Sequence, residues 1–278
     1  MFVTILHCHF LADDAVDFVT TKIHGELESR GDYYRLHHKQ PVSAETLSCV
    51  RQRLDFDINP VPPDFSPSQV RLLISDMDST LINIECVDEI AGFANLKSQV
   101  ATITQAAMRG ELNFSESLIQ RVGLLQGLDE QVLQRVYDEK LQLNRGSEQL
   151  LAGLKQRGIH TALVSGGFTF FTERLKRCLS LDFTLANVLA VENGRLTGKV
   201  IGSIVDADAK RDFLLQLCEE LNIVPEQAVA VGDGANDLEM MTKAGLSVAY
   251  HAKPRVQEQA DTVLNFCGLE GILHLLDV

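Results

Sequence analysis

Short apolar segments alternate with helical patterns in the C-terminal half of the chain, and this alternation restricts the fold more than any other feature. Three segments begin with the composition of a buried strand: 160–167 (HTALVSGG), 228–237 (AVAVGDGAND) and 245–250 (GLSVAY). Helical spacing is present at 147–158 and again at 207–222. Apolar strands that alternate with helices are typical of a parallel sheet covered by helices. We therefore predict an α/β fold with a doubly wound, Rossmann-like parallel sheet.

A fourth apolar segment, LLISDMDST at residues 72–80, stops abruptly at Asp76 and Asp78. Polar residues also follow two of the other strands: Ser165, Gly166 and Gly167 after one, and Asp233, Asn236 and Asp237 after the other. Ligands of such sheets lie beyond the carboxyl ends of the strands, so we expect the three clusters to form one site. Aspartates suit Mg²⁺, and glycine turns offer N–H groups to phosphate. Any one of these acids alone would be better explained as a helix cap or a turn residue.

The sequence contains neither of the usual nucleotide-binding loops. Asp237 occupies the third glycine position of a dinucleotide-binding loop, and no G-x-x-x-x-G-K-[ST] segment exists. Lys210 lies in the first turn of the helix predicted at 207–222, where a cation opposes the helix dipole. The simplest interpretation is a solvated lysine, although a cation at the strand ends could also neutralise a phosphoryl group.

The charge and the cysteines exclude several classes of partner. The formal net charge of −13 repels nucleic acid and anionic membranes on average. The longest apolar runs are too short for a membrane span, and the N-terminus has no basic segment followed by an apolar one. The six cysteines are scattered without a C-x-x-C pair, which predicts reduced thiols in a cytoplasmic protein.

Residues 1–66 are predicted to form a separate small α/β unit. Strand patterns at 3–10 and 32–39 alternate with helices expected at 13–30 and 43–54, and a proline-rich linker at 59–68 closes the unit. The histidines at positions 7, 9, 37 and 38 are interpreted as solvated strand-face residues, since nothing in their spacing establishes a metal site.

Residues 86–140 have helical patterns throughout, and Asn113 with Glu116 predicts a capping box. This insertion is interpreted as an all-α cap over the strand ends. The predicted organisation is therefore an N-terminal domain at 1–66, a catalytic core at 67–84 and 147–278, and a helical cap at 85–146.

The chain resembles a known family in several motifs that occur in a fixed order. Four are similar to those of the haloacid dehalogenase superfamily: DMDST at 76–80, SGG at 165–167, Lys210, and GDGAND at 232–237. Three further features narrow the resemblance to its phosphoserine phosphatase family: Glu85 just after the first motif, the segment Met108–Phe114, and Arg121. The resemblance covers essentially all of residues 70–278. It implies Mg²⁺-dependent hydrolysis of O-phospho-L-serine to serine and phosphate, the last step of phosphorylated serine biosynthesis.

The resemblance also implies a role for each motif residue. Asp76 would be the nucleophile that forms an aspartyl-phosphate, and Asp78 the general acid and base. Mg²⁺ would be bound by Asp76, by the backbone carbonyl of Asp78 and by Asp233, with Asp237 in support. The phosphate would be held by three residues: Ser165, Gly166 and Lys210. The serine moiety would be bound by Glu85, Arg121 and Asn236, under a lid formed by Met108 and Phe114.

Two alternatives to hydrolysis remain open at this point. The phosphoryl group could pass from Asp76 to an acceptor alcohol instead of water, because both reactions need the same acyl-phosphate. A module that only binds a phospho-amino acid is disfavoured, since it gains nothing from paired acids facing an anion. The N-terminal unit weakly resembles ACT-like regulatory domains, so we expect it to mediate homodimer contacts, to sense an amino acid, or only to add stability.

Overall fold

The computed structural model describes residues 1–277, apart from the side chain of Met108. The N-terminal part consists of β1 (Phe2–His7), α1 (Asp13–Ile23), β2 (Gly25–Ser29), β3 (Tyr34–His38), α2 (Ala44–Arg53) and β4 (Asp57–Pro60). Its strands form an antiparallel sheet in the order β2-β3-β1-β4. This β-α-β-β-α-β sequence is the ferredoxin-like arrangement.

Two expectations about the N-terminal secondary structure were wrong. The helix expected to reach Arg30 ends at Ile23, because His24 adopts a φ of 55° and residues 25–29 pair with β3 instead. Gly25 permits this pairing, since a Cβ there would lie 2.9 Å from Leu36 Cγ. Asn59 and Pro60 belong to β4 and not to a linker, because they pair with β1.

The larger part of the chain is built on a seven-stranded sheet. Its strands are β5 (Leu72–Ser75), β6 (His160–Phe168), β7 (Phe183–Glu192), β8 (Arg195–Ile201), β9 (Ala228–Gly232), β10 (Leu246–Tyr250) and β11 (Thr262–Leu264). Their order is β11-β10-β9-β5-β6-β7-β8, and every pair is parallel except the β7–β8 hairpin. The predicted parallel α/β sheet is thus confirmed, and the hairpin turns at Asn193 and Gly194, both of which have positive φ.

Helices cover both faces of this sheet and form the insertion. The insertion contains α3 (Cys86–Phe93), α4 (Lys97–Met108), α5 (Phe114–Gly123) and α6 (Gln131–Glu139). The remaining helices are α7 (Ser147–Gln156), α8 (Thr169–Leu179), α9 (Ala207–Glu220), α10 (Leu238–Met241), α11 (Pro254–Gln259) and α12 (Gly271–Leu275). The capping box predicted at Asn113 and Glu116 is present at the start of α5. Among the described residues, no helix combines the length and the apolarity that crossing a bilayer requires.

The N-terminal sheet is attached to the edge of the large sheet through β4 and β11. The Asn59 side chain donates to the Val263 carbonyl and accepts from the Val263 N–H, both at 2.9 Å. The Asp57 carboxylate accepts hydrogen bonds from three consecutive backbone N–H groups, those of Asn265, Phe266 and Cys267, at 2.8 to 3.0 Å. Backbone groups that would be unpaired at this sheet edge are therefore satisfied by side chains of the N-terminal part.

Candidate active site

The acidic residues that follow β5 and β9 meet at the carboxyl edge of the sheet. Asp76 is fixed between these strands, because its N–H donates to the Val231 carbonyl at 2.9 Å, and it is buried. Carboxylate oxygens of Asp76, Asp233 and Asp237 all lie within 4.8 Å of one another. Oxygen ligands at this spacing can share a single small cation.

Lys210 lies inside this acidic cluster. It is completely buried in the first turn of α9, and its Nζ donates to Asp237 Oδ1 at 2.7 Å and to Asp76. The interpretation of a solvated lysine was therefore wrong. Burial alone would lower the pKa of Lys210, but the Asp237 and Asp76 carboxylates outweigh burial and raise it, so the ammonium stays charged.

Lys210 alone does not balance the three carboxylates of the cluster. Burial raises the pKa of Asp76, the Asp237 and Asp233 carboxylates raise it further, and Lys210 opposes them. Burial and Asp237 likewise raise the pKa of Asp233 to about 6. The cluster thus has an excess of negative charge on hard oxygen donors, and these residues fit a magnesium ion.

Asp78 lies beside this cluster in a different environment. Burial, followed by the nearby Glu85 carboxylate, raises the pKa of Asp78 to about 8. Its Oδ2 is so near to β6 that a Cβ on Gly167 would lie 2.8 Å from it. A glycine is required at position 167 for this approach, and the resulting site favours a carboxyl group that carries a proton.

The loop between Asp78 and α3 places Glu85 over the site. Ser79 adopts a left-handed φ of 60°, and its hydroxyl donates to Glu85 Oε1 at 2.7 Å. A strained non-glycine residue of this kind is typical of sites where the backbone must hold side chains in place. The hydrogen bond fixes the Glu85 carboxylate at the start of the helical insertion.

The insertion touches the sheet at Phe114. A Cβ on Gly166 would lie 2.6 Å from Phe114 Cζ, so the aromatic ring lies directly against the glycine pair at the carboxyl end of β6. Between the insertion and the sheet is a cleft of about 630 Å³. Most of the predicted site residues line it: Asp76, Asp78, Glu85, Phe114, Arg121, Ser165, Gly166, Asp233 and Asn236. The predicted contact of the Met108 side chain lies outside the described residues.

Several residues of the cleft were missed in the sequence, including the polar or charged residues Asp88, Thr104 and Lys253. Lys253 lies 3.8 Å from Asp233 through Nζ and Oδ2, and it follows β10, so the rule that sites form at strand ends could have found it. Asp88 and Thr104 also line the cleft, from α3 and α4. Their helical positions look like ordinary surface residues, and no sequence signal distinguishes them.

Comparison with known proteins places the chain among hydrolases. Residues 70–245 match the haloacid dehalogenase-like hydrolases. A phosphoserine phosphatase of Polaromonas sp. is 52% identical over 224 residues, which are 79% of this chain and 95% of that protein. The crystal structure of a probable phosphoserine phosphatase from Vibrio cholerae has a TM-score of 0.86 at 36% identity and covers 99% of this chain and 86% of its own. A phospho-aspartyl intermediate analogue of phosphoserine phosphatase has a TM-score of 0.70 at 41% identity, over 73% of this chain and 97% of its own.

Proposed function

The chain belongs to the phosphoserine phosphatase family of the haloacid dehalogenase-like hydrolases, and we propose that it hydrolyses O-phospho-L-serine to L-serine and phosphate. The observation that carries the proposal is the joint lining of one cleft. Asp76 and Asp78 supply paired acids for phosphoryl transfer, and Glu85 and Arg121 supply opposite charges for the two ends of an amino acid. With the amino acid bound between Glu85 and Arg121, a phosphate ester on its side-chain oxygen would lie beside Asp76 and Asp78.

The proposed reaction proceeds in two displacements. An Asp76 oxygen attacks phosphorus, the bond from phosphorus to the seryl oxygen breaks, and Asp78 gives its proton to that oxygen. Water then attacks the aspartyl-phosphate, Asp78 takes up a proton from the water, and Asp76 is released. The raised pKa of Asp78 supports the first proton transfer. The phospho-aspartyl analogue known for a related phosphatase supports the intermediate.

We propose that Asp76, the backbone carbonyl of Asp78, and Asp233 hold Mg²⁺, with Asp237 supporting them from behind. The bound ion would offset the repulsion between the anionic nucleophile and the anionic phosphate. Asp237 is fully buried, and it accepts hydrogen bonds from Lys210 and from the Gly234 N–H at 3.0 Å. These contacts suit a residue that orients the ligands.

The phosphate oxygens are proposed to bind at Ser165, the Gly166 N–H and Lys210. The Ser165 hydroxyl accepts from the Gly167 N–H at 2.8 Å, which leaves its own proton free to be donated. The Gly166 carbonyl accepts a hydrogen bond from the Asn187 side chain at 2.8 Å, which fixes the carboxyl end of β6. Donors fixed in advance stabilise developing charge without a reorganisation cost.

The serine moiety is proposed to bind between the insertion and the sheet. Glu85 would accept from the ammonium, Arg121 would donate to the carboxylate as a fork, and Asn236 would contact the substrate from the other wall. Phe114 and Met108 would exclude water from the reacting phosphate. The contact of Phe114 with Gly166 supports this closure for the aromatic ring.

The organisation of the rest of the chain also belongs to the proposal. We propose three domains, at 1–66, at 67–84 with 147–278, and at 85–146; the separate sheets of the first two and the all-α composition of the third support this division. The first domain is proposed to regulate activity or to form a homodimer. Its Phe10 side chain is 78% exposed, and an exposed aromatic side chain suits a contact with another chain. The solution mass of the intact chain, measured with and without serine, tests this role. All six cysteines are free, which supports a cytoplasmic location.

A substrate panel tests the activity. Phosphate release should be confined to phosphoserine among phosphorylated amino acids, should stop in EDTA and should return with Mg²⁺. Asp76→Asn should lose all turnover while it still binds phosphoserine in calorimetry, and Asp64→Asn, an exposed acid, should match the parent chain. Full turnover in Asp76→Asn, or unchanged turnover in EDTA, contradicts the mechanism.

A further inference from the structure

Two polar atoms in the cleft wall have no hydrogen-bond partner among the described protein groups. They are Asp88 Oδ1 and Thr104 Oγ1, and both are buried from solvent. A buried carboxylate oxygen without a donor is costly, and such atoms in native proteins usually have a specific reason. Asp88 is the more informative of the two because it is charged.

Asp88 lies next to Glu85 on the insertion. Glu85 directly precedes α3, Asp88 follows three residues later in its first turn, and both residues line the cleft. Burial first, and then the Glu85 carboxylate, raise the pKa of Asp88, while Arg121 lowers it. The cleft therefore holds two neighbouring carboxylates that repel each other, and a cation between them would be stabilised by both.

The adjacent acid of the same helix is satisfied in a different way. Glu89 accepts a hydrogen bond from Lys97 Nζ at 2.6 Å and does not line the cleft. Among the described residues, no lysine or arginine lies within ion-pair distance of Asp88. In the first turn of α3, Glu89 is thus paired with a protein cation, whereas Asp88, which lines the cleft, is not.

We propose that Asp88 is a specificity-determining residue that binds the ammonium of the substrate together with Glu85. This inference rests on the proposed function. An alkyl ammonium has three N–H donors, so it can donate to two carboxylates at once, and Arg121 is left to bind the substrate carboxylate. A phosphorylated compound without an ammonium would leave both acids without a cation and would be rejected.

Asp88→Asn tests the assignment, because it keeps the shape and removes the charge. Two ligands report on it: phosphoserine, and 3-phosphoglycerate as a competitive inhibitor, which has a hydroxyl in place of the ammonium but retains the carboxylate and phosphate. We expect kcat/KM for phosphoserine to fall about 10- to 100-fold, the loss of one charged hydrogen bond. The inhibition constant of 3-phosphoglycerate should stay within about threefold or become smaller.

The matched control is Glu89→Gln, which removes the same charge one residue away and should leave both values unchanged. Equal weakening of both ligands in Asp88→Asn would overturn the proposal, because it would mean that Asp88 acts through Arg121 or through the fold. A change below threefold for phosphoserine would overturn it as well. Failure of the parent chain to hydrolyse phosphoserine would instead contradict the proposed function.

Discussion

The Lys210 ammonium and the Asp237 carboxylate lie 2.7 Å apart, and neither side chain is exposed to solvent. Lys210 also donates to Asp76, so it joins the proposed nucleophile to the residue behind the proposed metal site. A buried ammonium tolerates this position only because the carboxylates compensate for its lost hydration. The pair therefore couples the stability of the core to the organisation of the site.

Lys210→Met should destabilise the protein and abolish phosphate release. It leaves Asp76 and Asp237 as buried acids without their cation, and breaking such a pair costs about 3 to 5 kcal/mol of unfolding free energy. Urea denaturation without Mg²⁺ measures the loss. Lys199→Met, at an exposed position of β8, serves as the control and should change stability little. A loss below about 1 kcal/mol in Lys210→Met would show that the buried pair does not matter for stability.

Asp233→Asn should weaken Mg²⁺ binding without destabilising the metal-free protein. A ligand that binds only the folded state adds about 2.7 kcal/mol of stability at 100 times its Kd, and the melting temperature rises as a result. We expect the parent chain to show this shift with Mg²⁺ and Asp233→Asn to lose most of it. Without metal, the variant should melt at the same temperature or higher, because the substitution relieves repulsion with Asp237. Glu239→Gln, an exposed acid near the cluster, should keep the shift; an equal shift in all three proteins would rule out the metal site.

The sequence was sufficient to predict the parallel sheet and the meeting of its strand ends. The apolar runs that precede Asp76 and Asp233 are continuous and end abruptly at these residues, and both signals depend only on the local sequence. Lys210 could not be placed in the same way, because the first turn of a helix is usually exposed and its burial depends on acids distant in the chain. The same limit applies to Asp88, whose role depends on the packing of the insertion over the sheet.

The N-terminal errors have a related cause. The pattern at 25–29 has one strand face only partly buried, so it resembles the end of an amphipathic helix. The strand forms because β3 provides a partner, which is a tertiary interaction. His7 and His38 were expected in solvent, yet both are buried, because His7 packs against His274 of α12 and His38 contacts Thr4 of β1.

Gly166→Ala should impair closure of the insertion over the sheet. A methyl group there would meet Phe114 Cζ at 2.6 Å, so the ring must move away. We expect kcat/KM for phosphoserine to fall by at least about tenfold, since small misplacements in a site are costly. Phe114→Leu in the same chain should recover part of the loss by making room. If the double variant is as poor as the product of the two single losses, the contact between Gly166 and Phe114 is not the cause.

Asp57→Ala should weaken the attachment of the N-terminal sheet. It removes the acceptor of the three N–H groups of residues 265–267 and leaves them unsatisfied, which should cost about 2 to 4 kcal/mol of unfolding free energy. None of these residues lines the cleft, so kcat should be unchanged at temperatures where the variant is folded. Asp64→Ala, an exposed acid nearby in the chain, is the stability control. A fall in kcat without a fall in stability would instead indicate coupling between the N-terminal sheet and the cleft.

A histidine pair joins β1 of the N-terminal sheet to α12 at the same interface. His7 Nδ1 and His274 Nδ1 are 3.1 Å apart, and Asn59 Nδ2 donates to His7 Nε2 at 3.2 Å. The orientation of the Asn59 amide is fixed by Val263, so His7 Nε2 is an acceptor and its proton is on Nδ1. His274 Nδ1 then accepts a hydrogen bond from His7 Nδ1–H. The ring of Tyr33 stacks on His274 with the ring centroids 4.6 Å apart. Both imidazoles are neutral in this arrangement.

Stability should therefore decrease as the pH falls below about 6.5. Burial, and then His274, lower the pKa of His7, and burial lowers the pKa of His274 although Glu270 and Asp32 oppose it. In the unfolded chain the two histidines bind protons at the ordinary pKa of about 6.5, whereas in the folded chain they stay neutral to lower pH. Acid below that pH therefore favours unfolding, and the destabilisation by these histidines disappears above it. Urea denaturation at pH 7.5 and 5.5 measures the difference. His274→Phe, which can keep the stacking on Tyr33, should reduce the difference, whereas His24→Asn at an exposed helix end should not. An unchanged difference in His274→Phe would mean that other groups cause the acid sensitivity.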